Sequence, residues 1–182
     1  MAVGLTEFPL LHPVPGVRLG AVAAGLRKAG RRDLTLIECA PGSVAAAVFT
    51  RNRFCAAPVV VAREHLGQAQ PRALLINSGY ANAGTGVPGM QDARASCDAL
   101  AQALGVRPVE VLPFSTGVIG ERLPLDRLVA AVPAAVAALT ESGWADAAHG
   151  IMTTDTVPKG ASRQISIGGR RVTVTGITKS AG

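Results

Sequence analysis

The chain has 182 residues, a formal net charge of +6, and 48% hydrophobic but only 3% aromatic residues. A chain of this length buries roughly 70% of its unfolded surface, so residues 1–182 read as a single domain with an interior of small Ala and Val side chains, which weighs against disorder. The basic balance admits nucleic acid, anionic small molecules or an acidic partner, but one Trp, one Tyr and four Phe supply no stacking platform, which weighs against nucleic acid.

The stretch from Met1 to Glu7 lacks a basic segment followed by an apolar one, so no signal peptide is read there. The longest uncharged apolar run, Leu128 to Thr140, is broken by Pro133 and is too short to span a bilayer. A soluble cytoplasmic protein without a membrane partner is the resulting expectation. Cys39, Cys55 and Cys97 show no C-x-x-C spacing and read as small buried hydrophobes. His12, His65 and His149 lie far apart with no carboxylate at helical spacing, so no metal is expected.

In chain order, Gly16 to Ala24 alternates loosely and leads into a basic loop containing Arg27, Lys28, Arg31 and Arg32. Asp33 to Cys39 then reads as a strand, followed by a Pro41-Gly42 turn. Val44 to Thr50, Pro58 to Ala62 and Arg72 to Asn77 read as three further strands, and their short connections favour antiparallel pairing over repeated βαβ units. The polar, glycine-containing run from Asn77 to Gly86 reads either as a loop satisfying its own backbone or as a site-lining loop.

A helix is predicted from Met90 to Leu104, with Ala93, Cys97, Leu100, Ala101 and Leu104 on one face and Gly105 as its stop. Val111 to Gly120 brings an apolar, β-prone run to a Ser-Thr-Gly corner. Such a corner either exposes hydroxyls and N–H groups at a site or makes an ordinary capped turn. Because an interior proline costs ~3 kcal/mol, Pro133 predicts two helices, about 124–132 and 133–139. Ser142 is placed as the cap of another helix running through Trp144, a packing residue, towards Ile151. Thr153, Thr154, Asp155 and Thr156 follow, as backbone caps or as part of a site. Arg163 to Ile167 and Arg171 to Ile177 form a hairpin about Gly168-Gly169. A strand rising into Thr178-Lys179-Ser180-Ala181-Gly182 with nothing to close it suggests a fragment or one chain of a processed protein.

No glycine-rich loop ends in Gly-Lys-Ser/Thr, so a phosphate cradle is not supported. Gly117-Val118-Ile119-Gly120 matches the bare G-x-x-G of a KH loop but follows a strand and carries no basic residue. Acyl transfer fits better. It needs a nucleophile, a base and donors aimed at an oxyanion, and Thr116 with Gly117 suit the last of these. Ser115 is the candidate nucleophile beside them, yet neither a G-x-S-x-G elbow nor a Ser–His–Asp pairing is readable. The constellation is half a site.

Seven segments carry a resemblance that runs nearly end to end: Gly30-Arg31-Arg32-Asp33-Leu34, Val48-Phe49-Thr50-Arg51-Asn52, Ala56-Ala57-Pro58-Val59, Asn77-Ser78-Gly79, Ala81-Asn82-Ala83, Ser115-Thr116-Gly117-Val118-Ile119-Gly120 and Ile151-Met152-Thr153-Thr154-Asp155-Thr156. By these motifs the chain resembles the α chain of the ornithine acetyltransferase/glutamate N-acetyltransferase family of arginine biosynthesis. Tyr80 departs from the pattern, where Asn is common. The resemblance implies an α+β fold, an α/β layered sandwich of mainly antiparallel sheet with packed helices, similar to self-processing N-terminal-nucleophile enzymes. It implies a precursor that cuts itself before a threonine, placing that nucleophile beyond Gly182 on a C-terminal β chain, with αβ pairs assembling to α2β2.

The same resemblance implies that Thr116 and Gly117 form the oxyanion hole and that Thr153 and Lys179 contact substrate. Acetyl would pass from N2-acetylornithine to the threonine and then to glutamate, with no cofactor, and in some members acetyl-CoA also serves as donor. Two other readings stay open: a self-processed amide hydrolase of the β-peptidyl aminopeptidase kind, and a non-enzymatic nucleic-acid-binding module built on the Arg27 to Arg32 cluster.

Overall fold

The strands Val17–Val22 (β1), Leu34–Cys39 (β2), Ala73–Tyr80 (β3) and Val111–Val118 (β4) form one sheet in that order. The structure is a computed structural model describing residues 7–179; the leader reading at residues 1–6, the tail at 180–182 and the expected nucleophile lie outside the described residues. β1 pairs antiparallel with β2 and β2 with β3, while β4 runs parallel to β3. A parallel neighbour requires a crossover connection, and the helix Gly86–Leu104 lies within it.

Alternation along the strands gives the sheet two buried faces. On one face Leu34, Leu36, Leu75 and Val111 meet Val61 of helix Ala57–Leu66 (α1), Cys97 and Leu100 of Gly86–Leu104 (α2), and Leu128 and Val132 of Leu125–Ala137 (α3). On the other, Leu19 packs with Trp144 and Ala147 of helix Trp144–Gly150 (α4), with Ile37 and Ile177 against them. The strands Lys159–Ile167 (β5) and Arg170–Thr178 (β6) make a separate antiparallel hairpin, and β6 contacts α4. The result is an α+β layered sandwich: helices, a four-stranded sheet, then a helix with a hairpin.

Several expectations hold closely. α2 begins one turn before Met90 and ends at Gly105, whose φ of 67° is the left-handed cap that glycine permits. The hairpin turns at Gly168 and Gly169, both at positive φ, and Trp144 is a buried packing residue. Cys97 lies in the core, where burial pushes its thiol up to about 12. Cys39 and Cys55 are only partly buried.

Four expectations are corrected. Residues 58–62 are not a strand but the first half of α1. Pro58 sits in the first turn, and Ala57, Pro58, Val61, Ala62 and His65 are the buried positions, a helical spacing that a five-residue Val-rich window hides. Residues 44–50 form no strand: Val44 and Val48 are exposed, and the segment lies across an apolar groove from β4 without joining its ladder. The antiparallel pairing expected of the first half holds for β1–β2 and β2–β3, while β3 and β4, outside that expectation, are joined by a βαβ crossover.

Pro133 lies inside one continuous helix, α3, because its ring faces solvent while Leu128, Val132 and Ala135 bury the opposite side. Burial at these positions offsets the missing hydrogen bond. Finally, α4 is capped by Gly143 with no side-chain bond, and Ser142 instead lies 3.2 Å from the Thr140 hydroxyl.

Since Pro133 is exposed and its backbone nitrogen is the only element of α3 without a proton to donate, Pro133→Ala is expected to raise stability by about 1–3 kcal/mol. Urea unfolding measures it; a drop in stability would mean that the proline holds the helix in a bend the core needs.

Candidate active site

The carboxyl ends of parallel strands are where α/β sheets place their ligands, and β3 and β4 end together. Asn77 lies beside Ser115, Ser78 beside Thr116 and Gly79 beside Gly117, with a bulge at Gly79 and Tyr80. Gly117 has φ 140° and Gly79 φ 116°. A Cβ at Gly117 would stand 2.2 Å from the Gly79 carbonyl carbon and 2.5 Å from the Tyr80 nitrogen. The two backbones therefore meet with no room for a side chain between them.

Below this contact, the Ser115 hydroxyl donates to Asn77 Oδ1 at 2.6 Å, and Asn77 Nδ2 donates to the Tyr80 carbonyl at 2.8 Å. Asn77 is fully buried. Ser115 thus serves as a strand-to-strand brace and lines an apolar groove beside Phe114, not the cavity at the corner. Its hydroxyl is not presented for attack.

Thr116, Gly117, Thr153 and Lys179 all line one cavity of about 420 Å³, reached from β4, the loop after α4 and the end of β6. Lys179 Nζ donates to Thr116 Oγ1 at 2.9 Å across 63 residues of sequence. A hydroxyl oxygen that accepts from an ammonium keeps its own proton to donate, and polarisation strengthens that donation. Ser78, buried, also lines the cavity, and its hydroxyl has no hydrogen-bond partner among the described residues.

The basic loop closes the cavity from another side with Arg27, Lys28 and Arg31. Arg27 lies over the Tyr80 ring at 5.3 Å and donates to Glu121 at 2.7 Å, a bond that raises its pKa further. Arg31 Nη2 donates to the carbonyls of Met152 and, at 3.1 Å, Thr153. Asp33 is the one carboxylate lining the cavity among the described residues. Its two oxygens accept from Ala24 N–H at 2.6 Å and Leu26 N–H at 2.7 Å. With that charge taken up by backbone, the wall is cationic and suits a carboxylate-bearing small molecule.

Motif reading located the corner and the threonine loop and used Gly30-Arg31-Arg32-Asp33-Leu34 for the resemblance, but gave the arginine cluster no role in the site. The signal was Asp33, adjacent to the cluster and followed by a buried strand, since a carboxylate there must find backbone donors and fold the loop inwards. Among the described residues no group of three or more His, Cys, Asp or Glu is placed to hold a metal ion, and no helix is long and apolar enough to cross a membrane.

The ArgJ family model matches residues 18–182. The chain belongs to the ArgJ family. It is 62% identical over 172 residues to the arginine biosynthesis bifunctional protein ArgJ of Methylococcus capsulatus, covering 94% of this chain and 42% of that protein. It is 56% identical over 182 residues to the ArgJ of Pseudomonas syringae pv. tomato, covering 100% of this chain and 45% of that protein. The chain thus spans under half the length of these curated relatives.

Among solved structures, the ArgJ of Bacillus halodurans matches with a TM-score of 0.85 and 35% identity, over 92% of this chain and 88% of that one. The ornithine acetyltransferase of Mycobacterium tuberculosis, solved with ornithine, matches with a TM-score of 0.85 and 40% identity, over 93% of this chain and 90% of that one. The family resemblance carried by the seven motifs, and the layered α+β fold that it implies, are therefore those of ArgJ proteins.

The two glycines of the corner separate cleanly by substitution. Gly117→Ala meets both an unfavourable φ and the Gly79 backbone, and should lower stability by at least about 3 kcal/mol. Gly120→Ala, at φ 82° with open space around it, should cost only about 1–2 kcal/mol. Equal losses in urea unfolding would rule out the close approach as the reason for Gly117.

Proposed function

We propose that this chain is the non-nucleophilic half of an acetyltransferase that moves acetyl from N2-acetylornithine to glutamate through an acyl-threonine intermediate. The observation that carries the reading is the 2.9 Å bond from Lys179 Nζ to Thr116 Oγ1 in a cavity that also holds Gly117 and Thr153. Four residues named by the resemblance, from three distant segments, converge there. The second chain is proposed to begin with the attacking threonine, released by self-cleavage beyond Gly182. Coverage supports this: the matched chains of the solved relatives are spanned to 88% and 90%, the curated relatives only to 42% and 45%. Pairs of the two chains assembling to α2β2 complete the proposed enzyme.

In this mechanism the threonine hydroxyl of the second chain attacks the acetyl carbonyl of N2-acetylornithine, and its α-amino group takes the proton. Negative charge builds on the carbonyl oxygen as the tetrahedral intermediate forms. The Thr116 hydroxyl, polarised by Lys179, and the Gly117 N–H are its proposed receivers, preorganised by the backbone contact of β3 and β4. Collapse expels the amine of ornithine, which carries the proton away, and leaves the acetyl ester. Glutamate then enters, its amine attacks the ester, and N-acetylglutamate departs as the threonine regains its proton.

Both amino acids bear an α-carboxylate, and the cationic wall with the Thr153 hydroxyl is where we place it. No cofactor is required by these steps; acetyl-CoA as a second acetyl donor belongs to the same proposal.

Full-length protein should yield two chains, the second with N-terminal Thr by mass spectrometry, and should transfer labelled acetyl from N2-acetylornithine to glutamate with ping-pong kinetics. Thr116→Ala in that enzyme should reduce kcat by about 10²–10³. Free acetate released without dependence on glutamate would identify an amide hydrolase instead, and full activity in a lone 182-residue chain would sink the mechanism.

A further inference from the structure

Residues 152–158 carry Thr153 and Thr154 on the cavity wall, yet they belong to no helix or strand. A segment outside any ladder keeps its shape through whatever groups hold its backbone. On the hairpin side, Lys159 Nζ binds Asp155 at 2.5 Å, and the Asp155 carboxylate accepts from Thr153 N–H at 3.3 Å. On the opposite side stands Arg31, whose Nη2 reaches 121 and 122 residues along the chain to the carbonyls of Met152 and Thr153. Arg31 is itself held by a loop that Asp33 pins through the Ala24 and Leu26 N–H groups. Its Nη2 has two protons, and both are engaged by carbonyls, so that nitrogen acts on the cavity through the Thr153 backbone and not by binding an anion.

We propose that Arg31 is a positioning residue for the transfer reaction, clamping the Met152 and Thr153 carbonyls so that the Thr153 hydroxyl faces the substrate. This rests on the acetyl-transfer reading and adds to it the part that sets substrate affinity. Two carbonyls on consecutive residues suit a planar, permanently charged guanidinium at the end of a long side chain. The shorter lysine, with a rotating point-like ammonium, is a poor replacement. Thr153 meets the donor amino acid in the first half-reaction and the acceptor in the second. Loosening it therefore weakens binding of both while leaving the oxyanion donors of β4 in place.

The test uses the processed two-chain enzyme. Arg31→Ala should raise KM for both N2-acetylornithine and glutamate by about tenfold or more, with kcat held within about threefold, and millimolar guanidinium ion should restore KM. Hydrogen exchange read without substrate forms the second arm. Amides of residues 152–154 should exchange faster in Arg31→Ala and be protected again by guanidinium. This arm reports on the clamp whatever reaction the enzyme performs, so absence of acetyl transfer in the unaltered enzyme overturns the functional reading and is distinguished from failure of the clamp. An unchanged KM, a fall in kcat at constant KM, or unchanged exchange at 152–154 each overturns the proposal. If Arg31→Ala does not accumulate, Arg31→Lys carries the test: raised KM with faster exchange supports the clamp, and unaltered values overturn it.

Discussion

The backbone contact between Gly79 and Gly117 is the constraint on which the rest of this structure depends. Two parallel strands ending in ordinary side chains would be held apart at their tips. Here the missing Cβ of Gly117 lets the tips close, with Gly117 at φ 140° and Gly79 at φ 116°. Closure fixes the Ser-Thr-Gly corner relative to β3, and the Ser115–Asn77–Tyr80 chain of hydrogen bonds holds it from beneath. Donors that must meet a developing charge without reorganising need this kind of rigid support.

Electrostatics complete what sterics begin. Four cationic side chains line the cavity against one carboxylate that backbone N–H groups already satisfy. The arrangement uses Asp33 as an architectural group: a buried carboxylate with two short backbone bonds costs less than an unpaired one, and in satisfying itself it turns the basic loop towards the sheet. The arginine-rich surface thereby becomes the wall of a pocket, which is why the charge of the chain is better matched to a small carboxylate ligand than to a nucleic-acid backbone.

Legibility followed periodicity and punctuation. α2 was readable because five apolar positions recur over about three turns and Gly105 stops them, and the β5–β6 hairpin because paired glycines have few other uses. α1 was misread because Val59, Val60 and Val61 favour strands locally, whereas helical burial emerges only when Ala57 and His65 are included. Pro133 misled for the opposite reason, since a strong local rule was overridden by packing on the buried side of α3. At the site, the four residues carried by the family resemblance were legible and their convergence was not. Nothing in a linear pattern places Lys179 against Thr116, or Arg31 against Thr153, because those contacts depend on a hairpin and a loop meeting across the sheet.

The bond between Lys179 and Thr116 also joins two sheets that share no backbone ladder. β6 reaches β4 at this point through a side chain, while elsewhere the hairpin is anchored by packing of Ile177 near Trp144 and by Thr175 against the His12 carbonyl. Filling the cavity and keeping the hairpin docked are consequently linked equilibria. A ligand that engages Lys179 in its docked position is worth RT ln(1 + [L]/Kd) against hairpin release, and a loosened hairpin weakens the ligand by the same free energy. Any ligand held there would make the pocket a latch, supplying part of the cohesion of the fold.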